Sequence, residues 1–179
     1  MPPKIIAFGV ILFSAALWVA GGYILRESQH HDAAMLDYPL PSELLPVLSV
    51  DNKEYLDPTE SITKPFLLNV WASWCVSCRT ENIHLKHLQM QGIRIVGLNL
   101  RDDPRSALSW LNQYGSPYAV IFSDAEGAYA EKLGVTGAPE TFLIDRHGAV
   151  RFHYQGLIDK RVWDQRLLPL YSAIATPKP

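Results

Sequence analysis

The stretch NVWASWCVSCRTE, residues 69–81, contains the only two cysteines of the 179-residue chain, Cys75 and Cys78. The apolar run Pro65–Trp71 leads into it and the helix-compatible segment Arg79–Met90 follows it. This pattern predicts a strand-to-helix turn with Cys75 near the first helical turn, where unpaired N–H groups and the helix dipole favour negative charge. We therefore expect Cys75 to be the nucleophilic thiolate and Cys78 to resolve the mixed disulfide that forms on it.

A metal site is the first alternative, because His84 and His87 follow the two cysteines and would complete a set of four ligands. On a helix, these histidines would lie about 180–240° around the axis from Cys78 and about 9 Å or more along it. A tetrahedral zinc site needs its ligands within about 2.3 Å of one ion. We therefore expect no metal here. The other alternative, two buried and inert thiols, would have to place both cysteines at redox spacing by chance.

Two segments resemble a known family: LLNVWASWCVSCRTE, residues 67–81, and GVTGAPETFLID, residues 134–145. They resemble the thioredoxin-like proteins of bacterial cytochrome c maturation, the DsbE/CcmG type, over about residues 46–174. The second segment is the more specific of the two. The resemblance implies an α/β thioredoxin fold with a central βα insertion and an N-terminal strand or hairpin.

Three residues are candidates for binding a substrate peptide. The resemblance implies that Pro139 is a cis-proline opposite the disulfide, which presents the backbone of Ala138 to an extended peptide by strand addition. Trp74 is expected to be an exposed contact surface for partners, since Trp71 already supplies the buried ring on that strand.

Two acids are candidates for tuning the thiols. Glu81 lies three residues beyond Cys78 on the same helix stripe, so we expect it to be partly buried near the sulfurs. The alternative is a solvated glutamate that stabilises the helix N-terminus. Glu140 directly follows Pro139 and is expected to approach the site as well. Either carboxylate would raise the cysteine pKa values by like-charge repulsion and make the couple more reducing.

Two positions differ from related proteins. Asn69 stands where thioredoxin carries a buried aspartate, and an amide cannot take a proton, so that role must pass to Glu81, to Glu140 or to water. Val76-Ser77 occupies the place where the family usually has a proline, which removes a rigid first helical position and leaves the redox potential open. No histidine lies between the cysteines, which argues against a strongly oxidising enzyme of the DsbA type.

Composition excludes several functions. A length of 179 residues with 48% hydrophobic content fits one domain plus appendages. The formal net charge of −2 and the lack of a basic, aromatic-interleaved patch indicate no nucleic-acid partner. Two cysteines that can pair only with each other fit an oxidising compartment.

The N-terminal region predicts a membrane anchor. Ile5–Leu25 is uncharged, apolar and near the length of about 20 residues that crosses a bilayer, so residues 1–26 are expected to be an uncleaved anchor. Cleavage at Ala20-Gly21-Gly22 is the alternative. The positive-inside rule leans towards a cytoplasmic N-terminus, with the domain on the periplasmic side of the bacterial inner membrane. We expect a linker over residues 27–45, the domain over 46–175 and a tail over 176–179.

Within the domain, hydrophobic periodicity and turn signals predict alternating strands and helices. The predicted strands are Val47–Val50, Pro65–Trp71, Ile93–Leu100, Tyr118–Phe122, Thr141–Ile144 and Ala149–Tyr154. The predicted helices are Arg79–Met90, Arg105–Tyr114, a short helix that Ser123-Asp124 caps and that ends at Leu133, and a closing helix from Asp159 to about Ala173.

The C-x-x-C pair Cys75 and Cys78 predicts a thiol–disulfide oxidoreductase, and the resemblance implies that it works as a reductant. Its substrate would be a disulfide in apocytochrome c or in a haem-ligation partner, a membrane electron carrier of the DsbD type would re-reduce it, and it would need no cofactor beyond the Cys75–Cys78 pair. A general periplasmic disulfide reductase is one alternative. A non-catalytic scaffold that holds a peptide between Trp74 and Pro139 is another, and it would tolerate Cys75→Ser without loss of function.

Overall fold

A mixed sheet of six strands is the centre of the structure, a computed structural model that describes residues 36–175 except 52, 61 and 63. A separate antiparallel pair lies beside it. In chain order the strands are β1 (Tyr38–Pro39), β2 (Leu45–Pro46), β3 (Tyr55–Leu56), β4 (Phe66–Trp71), β5 (Ile95–Leu100), β6 (Val120–Asp124), β7 (Glu140–Ile144) and β8 (Ala149–Gln155). The six-stranded sheet has the order β1-β8-β7-β4-β5-β6, and β2 pairs with β3.

Helices alternate with the later strands and one helical segment closes the domain, as the sequence predicts. They are α1 (Val76–Met90), α2 (Pro104–Tyr114), α3 (Ala128–Lys132), α4 (Lys160–Val162), a π-helical turn (Trp163–Leu167) and α5 (Leu168–Ala175). Strands β4, β5 and β6 are parallel, whereas β7 runs antiparallel to both β4 and β8. The predicted α/β arrangement is confirmed, and α2, β6 and α3 between β5 and β7 contain the expected insertion.

The central strand β4 is buried on both faces, which explains its nearly continuous apolar sequence. Because neighbouring residues of a strand point to opposite faces, Leu68 and Val70 join one apolar cluster. Trp71 joins the cluster on the other face, which also contains both cysteines. Its ring lies 5.1 Å from that of Trp110, and a Cβ at Gly97 would come within 2.9 Å of its Nε1 atom. The glycine therefore makes room for the large ring behind the disulfide.

The predicted linker over residues 27–45 is too long. Strand β1 pairs with β8, and the N–H of Leu36 donates to the carbonyl of Arg151. Leu40 and Leu45 are buried. Both belong to one apolar core cluster, against which Leu36 and Tyr38 also pack, so residues 36–45 belong to the domain.

The first predicted strand, Val47–Val50, is wrong. The strand in this region is β2, and Val47 lies just outside it, where it forms an isolated bridge with Phe122. The chain then bends, and the hydroxyl of Ser49 donates to the carboxylate of Asp51. Such a local side-chain bond favours a turn over a continuing strand.

Three helices also differ from the prediction. Helix α3 begins only at Ala128, because Ser123 and Asp124, its predicted cap, are the last residues of β6. Helix α1 begins at Val76, three residues earlier than the predicted Arg79. The closing helix contains a π turn in which the N–H of Leu168 bonds the carbonyl of Trp163, five residues earlier. Pro169 follows directly and has no N–H to donate, which interrupts the regular pattern of helical hydrogen bonds.

The predicted membrane anchor, its cleavage alternative, residues 27–35 of the linker and the tail over 176–179 lie outside the described residues. Within residues 36–175, none of the described helices has both the length and the apolar character needed to span a bilayer.

Candidate active site

Cys75 and Cys78 form a disulfide at the start of α1, with 5.3 Å between their Cα atoms. Cys75 is the N-cap residue, in extended conformation, and its Sγ accepts a hydrogen bond from the N–H of Cys78 at 3.1 Å. Both side chains are buried, with 5% and 3% exposed, so exposure does not distinguish them. Position does: the helix N-terminus and this N–H favour a thiolate on Cys75 once the bond is reduced.

The loop before the disulfide is held by residues that follow β5. The backbone N–H and the hydroxyl of Ser73 donate to the two carboxylate oxygens of Asp102, at 2.6 and 2.7 Å. The indole Nε1 of Trp74 donates to the carbonyl of Arg101 at 3.0 Å. Trp74 is nevertheless 54% exposed, whereas Trp71 is fully buried, so the predicted exposure of Trp74 is confirmed.

Asp102 is a positioning residue that the sequence did not reveal. The pair Asp102-Asp103 indicates a helix cap, and Asp103 is that cap, since its Oδ1 accepts from the N–H of Ser106. Asp102 instead reaches the active-site loop. The available signal was its place after a parallel strand, because the carboxyl ends of neighbouring parallel strands meet at the same edge of a sheet.

The Ala138–Pro139 peptide bond is cis, as the resemblance implies. Pro139 is buried, and Ala138 packs against the apolar cluster that contains Trp71 and the two cysteines. The residue before the cis-proline therefore packs against the same cluster as the disulfide. The role of Ala138 and Pro139 in binding a substrate peptide stays a prediction.

Glu81 is fully buried, so the alternative of a solvated glutamate is wrong. Its Oε1 accepts from the N–H of Ile158 at 2.8 Å, and its Oε2 accepts from Nδ2 of Asn69 at 3.1 Å. Burial raises the pKa of Glu81 from an ordinary 4.5 to about 7, while the two hydrogen bonds oppose that shift. The side chain can therefore gain or lose a proton near neutral pH, one helical turn beyond Cys78.

Asn69 connects Glu81 to a buried polar network. Its Nδ2 also donates to the hydroxyl of Thr141 at 2.9 Å, and its Oδ1 accepts from the hydroxyl of Tyr118 at 2.8 Å. Burial raises the pKa of Tyr118 well above its usual value, so this hydroxyl remains a donor. The sequence reasoning missed Tyr118 and Thr141. The available signal was Asn69 itself, because a polar side chain on a fully buried strand requires partners.

Glu140 is buried as well, but it binds the loop ahead of the cis-proline. Its Oε1 accepts from the N–H and the hydroxyl of Thr136 and from the N–H of Gly137, at 2.6–2.9 Å. Its Oε2 lies 2.6 Å from Nε2 of His153. Glu140 and its neighbour Thr141 point to opposite faces of β7, and Thr141 faces the Asn69–Glu81 side. Its contacts give Glu140 a part in holding the loop, and its predicted effect on the thiols stays a prediction.

The structure does not bring the two histidines of α1 to the cysteines. His84 and His87 line a groove between α1 and the closing helix, together with Trp163. Cys75 lines a different groove, at the start of α1.

The chain is similar to known thiol–disulfide proteins along most of its length. The Redoxin family model matches residues 47–164. The chain is 45% identical to the thiol:disulfide interchange protein DsbE of Yersinia pestis over 141 residues, which cover 79% of this chain and 75% of that protein. It is 39% identical to the DsbE of Escherichia coli over 177 residues, which cover 96% of each. The chain belongs to the DsbE family of thiol:disulfide interchange proteins.

A solved structure supports the fold of this DsbE-family chain. A structure from Chlorobium tepidum, described as a thiol:disulfide interchange protein DsbE, superposes with a TM-score of 0.65 at 25% identity. The match covers 78% of this chain and 96% of that one. The fold is thioredoxin-like, and the chain is a thiol:disulfide oxidoreductase. Cys75 and Cys78 form the disulfide at C-x-x-C spacing that this activity requires.

Proposed function

We propose that this DsbE-family protein is a membrane-anchored oxidoreductase that faces the periplasm and works as a reductant. It reduces a disulfide in apocytochrome c, or in a haem-ligation partner, so that free thiols can receive haem. A membrane electron carrier of the DsbD type then re-reduces it. The two electrons are carried by the Cys75–Cys78 pair, without a separate cofactor. The observation that best supports a reducing role is the buried carboxylate of Glu81, one helical turn beyond Cys78 on α1.

The reaction is two successive thiol–disulfide exchanges. The Cys75 thiolate attacks one sulfur of the substrate disulfide, which forms a mixed disulfide and releases the other substrate sulfur as a thiolate. Cys78 loses its proton and attacks Sγ of Cys75, which releases the second substrate sulfur. The substrate has gained two electrons and two protons, and the protein has become the Cys75–Cys78 disulfide.

Glu81 is the group placed to take the proton of Cys78. Asn69, Thr141 and Tyr118 are its buried polar neighbours, and none of them accepts a proton near neutral pH. The pKa of about 7 lets Glu81 accept a proton at the ordinary pH of a bacterial periplasm. The ionised carboxylate also opposes a negative charge on the cysteines. A thiolate that is destabilised in this way makes the reduced form less stable and the couple more reducing.

Reduction of a cytochrome-type disulfide tests this function. The reduced protein is mixed with a disulfide-bonded apocytochrome c, and the new substrate thiols are counted after an acid quench. We expect two thiols per protein consumed, and none with Cys75→Ser. If the protein leaves the apocytochrome c disulfide intact but still reduces a small disulfide compound, the general periplasmic disulfide reductase is favoured. If Cys75→Ser still supports haem attachment in cells, the reductant function is wrong and the non-catalytic, peptide-holding scaffold is favoured.

Protease accessibility tests the membrane topology. Protease is added to intact, right-side-out inner-membrane vesicles that carry the full chain. We expect the domain over residues 36–175 to be degraded, because the apolar Ile5–Leu25 segment should hold it outside the vesicle on the oxidising side. Full protection of the domain would refute this orientation.

A further inference from the structure

A groove of about 590 Å³ opens beside the disulfide, between the start of α1 and helix α2. Cys75 lies at its edge, next to the exposed indole of Trp74. The aromatic rings of Trp110 and Tyr114 form part of its wall. Such rings bury apolar surface of a ligand, so the groove can accept more than water and ions.

The groove is cationic. Arg79, from the first turn of α1, and Arg105, from the first turn of α2, line it, and none of its other lining residues is acidic. Within the part of the chain that the structure describes, neither arginine forms an ion pair. Arg79 instead lies 4.7 Å from the centre of the Tyr114 ring. Asp103 is close enough to Arg105 for their charges to interact, but Asp103 does not line the groove. The two exposed guanidinium groups that do line it can attract an anion.

The two sides of the disulfide therefore differ in charge. Behind it lies the buried carboxylate of Glu81, which no partner protein can reach. In front of Cys75 lies the arginine pair of the groove. A polypeptide that brings its disulfide to Cys75 must lay a neighbouring segment along this surface, and charge complementarity decides which side chain fits there.

We propose that the groove binds the peptide segment next to the reactive cysteine of the partner protein, and that Arg79 and Arg105 select an acidic side chain in that segment. This inference rests on the proposed function, because it names a feature of the substrate whose disulfide Cys75 attacks. The groove forms no covalent bond. It holds the partner disulfide so that one of its sulfurs faces Cys75, and the exchange then proceeds as described above.

Peptide disulfides of matched sequence test the proposal. Each peptide carries one disulfide and, within four residues of the attacked cysteine, a glutamate, a glutamine or a lysine. The second-order rate of oxidation of the reduced protein is followed by tryptophan fluorescence. For the wild-type chain at low salt, we expect the glutamate peptide to react about three- to fivefold faster than the glutamine peptide, and the lysine peptide to react more slowly.

Two variants and one control assign the effect to the groove. In Arg79→Gln with Arg105→Gln, the glutamate and glutamine peptides should react at the same rate, and Arg105→Glu should favour the lysine peptide. Arg161→Gln, an exposed arginine on the closing helix outside the groove, should keep the wild-type preference. Because Arg79 also lies near the thiols, the ratio of two peptide rates within one variant is compared. Any general change in thiolate reactivity cancels in that ratio.

The neutral compound 2-hydroxyethyl disulfide separates failure of the groove from failure of the proposed function. If the wild type reduces it but reacts equally with all three peptides, the groove proposal is wrong and the redox function stands. A preference for glutamate that survives in the double variant would place the selecting charge elsewhere and also overturn the proposal. If the protein reduces none of the disulfides, the reductant function itself is wrong.

Discussion

The side-chain amide of Asn69 donates a hydrogen bond to the buried carboxylate of Glu81, with 3.1 Å between Nδ2 and Oε2. Asn69 lies on the central strand and Glu81 on the helix that begins at the disulfide. The amide cannot take a proton, so this pair contains one titratable group, the carboxylate that burial brings to a pKa of about 7. The pH response of the active site should therefore depend on Glu81.

Replacing Glu81 by glutamine should lower the pKa of Cys75 or Cys78 and make the couple less reducing. The reason is that the variant removes the buried carboxylate that lies one helical turn beyond Cys78, where its negative charge would oppose a thiolate. Titration of the thiolate absorbance at 240 nm measures this. Glu131→Gln, an exposed acid on α3, is the control and should behave as the wild type. An unchanged titration curve in Glu81→Gln would mean that the carboxylate does not act on the sulfurs.

The stability of the oxidised protein should fall as the pH rises from about 4.5 to about 7. The folded-state pKa of Glu81 is raised above its ordinary 4.5, so its contribution is fully present below pH 4.5 and is lost as the pH passes about 7. A shift of this size corresponds to about 3 kcal/mol of unfolding free energy. Urea unfolding at several pH values measures it. In Glu81→Gln the loss should be smaller by that amount, and equal pH dependence in both proteins would contradict the burial account.

Replacing Tyr118 by phenylalanine should weaken the network around Glu81. The Tyr118 hydroxyl bonds Oδ1 of Asn69 and thereby keeps Nδ2 directed at the carboxylate. Leaving that buried oxygen unpaired should cost about 1–3 kcal/mol of unfolding free energy. The substitution should also raise the pKa of Glu81 further. Without the Tyr118 hydroxyl, the Asn69 amide is held less firmly, and its hydrogen bond to the ionised Glu81 carboxylate weakens. Tyr55→Phe, at an exposed tyrosine, is the matched control.

A carboxyl carbon NMR titration of the Tyr118→Phe protein separates these two effects. A loss of stability with an unchanged pKa of Glu81 would show that Tyr118 contributes to stability but does not act on the carboxylate through Asn69. No change in either quantity would contradict the network.

Replacing Cys78 by serine should trap mixed disulfides on Cys75. The variant keeps the nucleophile at the helix N-terminus and lacks the thiol that resolves the intermediate. Acid quenching and non-reducing gels show the adducts, and mass spectrometry identifies the substrate and the recharging reductant. Cys75→Ser is the control and should give none. Adducts only in Cys75→Ser would reverse the two roles, and their absence from both variants while haem attachment continues would contradict the redox function.

Local sequence signals predicted much of this structure. The C-x-x-C pair between an apolar run and a helical segment predicts the strand β4, the disulfide and helix α1, because these depend on residues close together in the chain. The resemblance over residues 134–145 supplied the cis form of Pro139, which local propensity does not favour. Apolar composition was not sufficient at Val47–Val50. The chain bends there instead of forming a strand, and the Ser49 hydroxyl bonds the Asp51 carboxylate.

Long-range contacts could not be predicted. Asp102 reaches Ser73 across 29 residues, and Tyr118 reaches Asn69 across 49. The first contact joins the ends of the neighbouring strands β4 and β5, and the second joins β4 to the segment just before β6, on the far side of β5. Both therefore depend on strand order rather than on local pattern. The same holds for β1, a strand of two residues that exists only because β8 offers its edge. The exact surroundings of Glu81 follow from these contacts.

The equilibrium between the Cys75–Cys78 couple and glutathione tests most directly whether this site favours reduction of its partners. The protein is incubated at pH 7 with defined ratios of reduced and oxidised glutathione, and its thiols are trapped and counted. We expect a potential closer to the value of about −270 mV for thioredoxin than to the value of about −120 mV for the oxidant DsbA. We also expect a shift to a less reducing value in Glu81→Gln. A wild-type potential closer to that of DsbA would contradict a reducing role for this site.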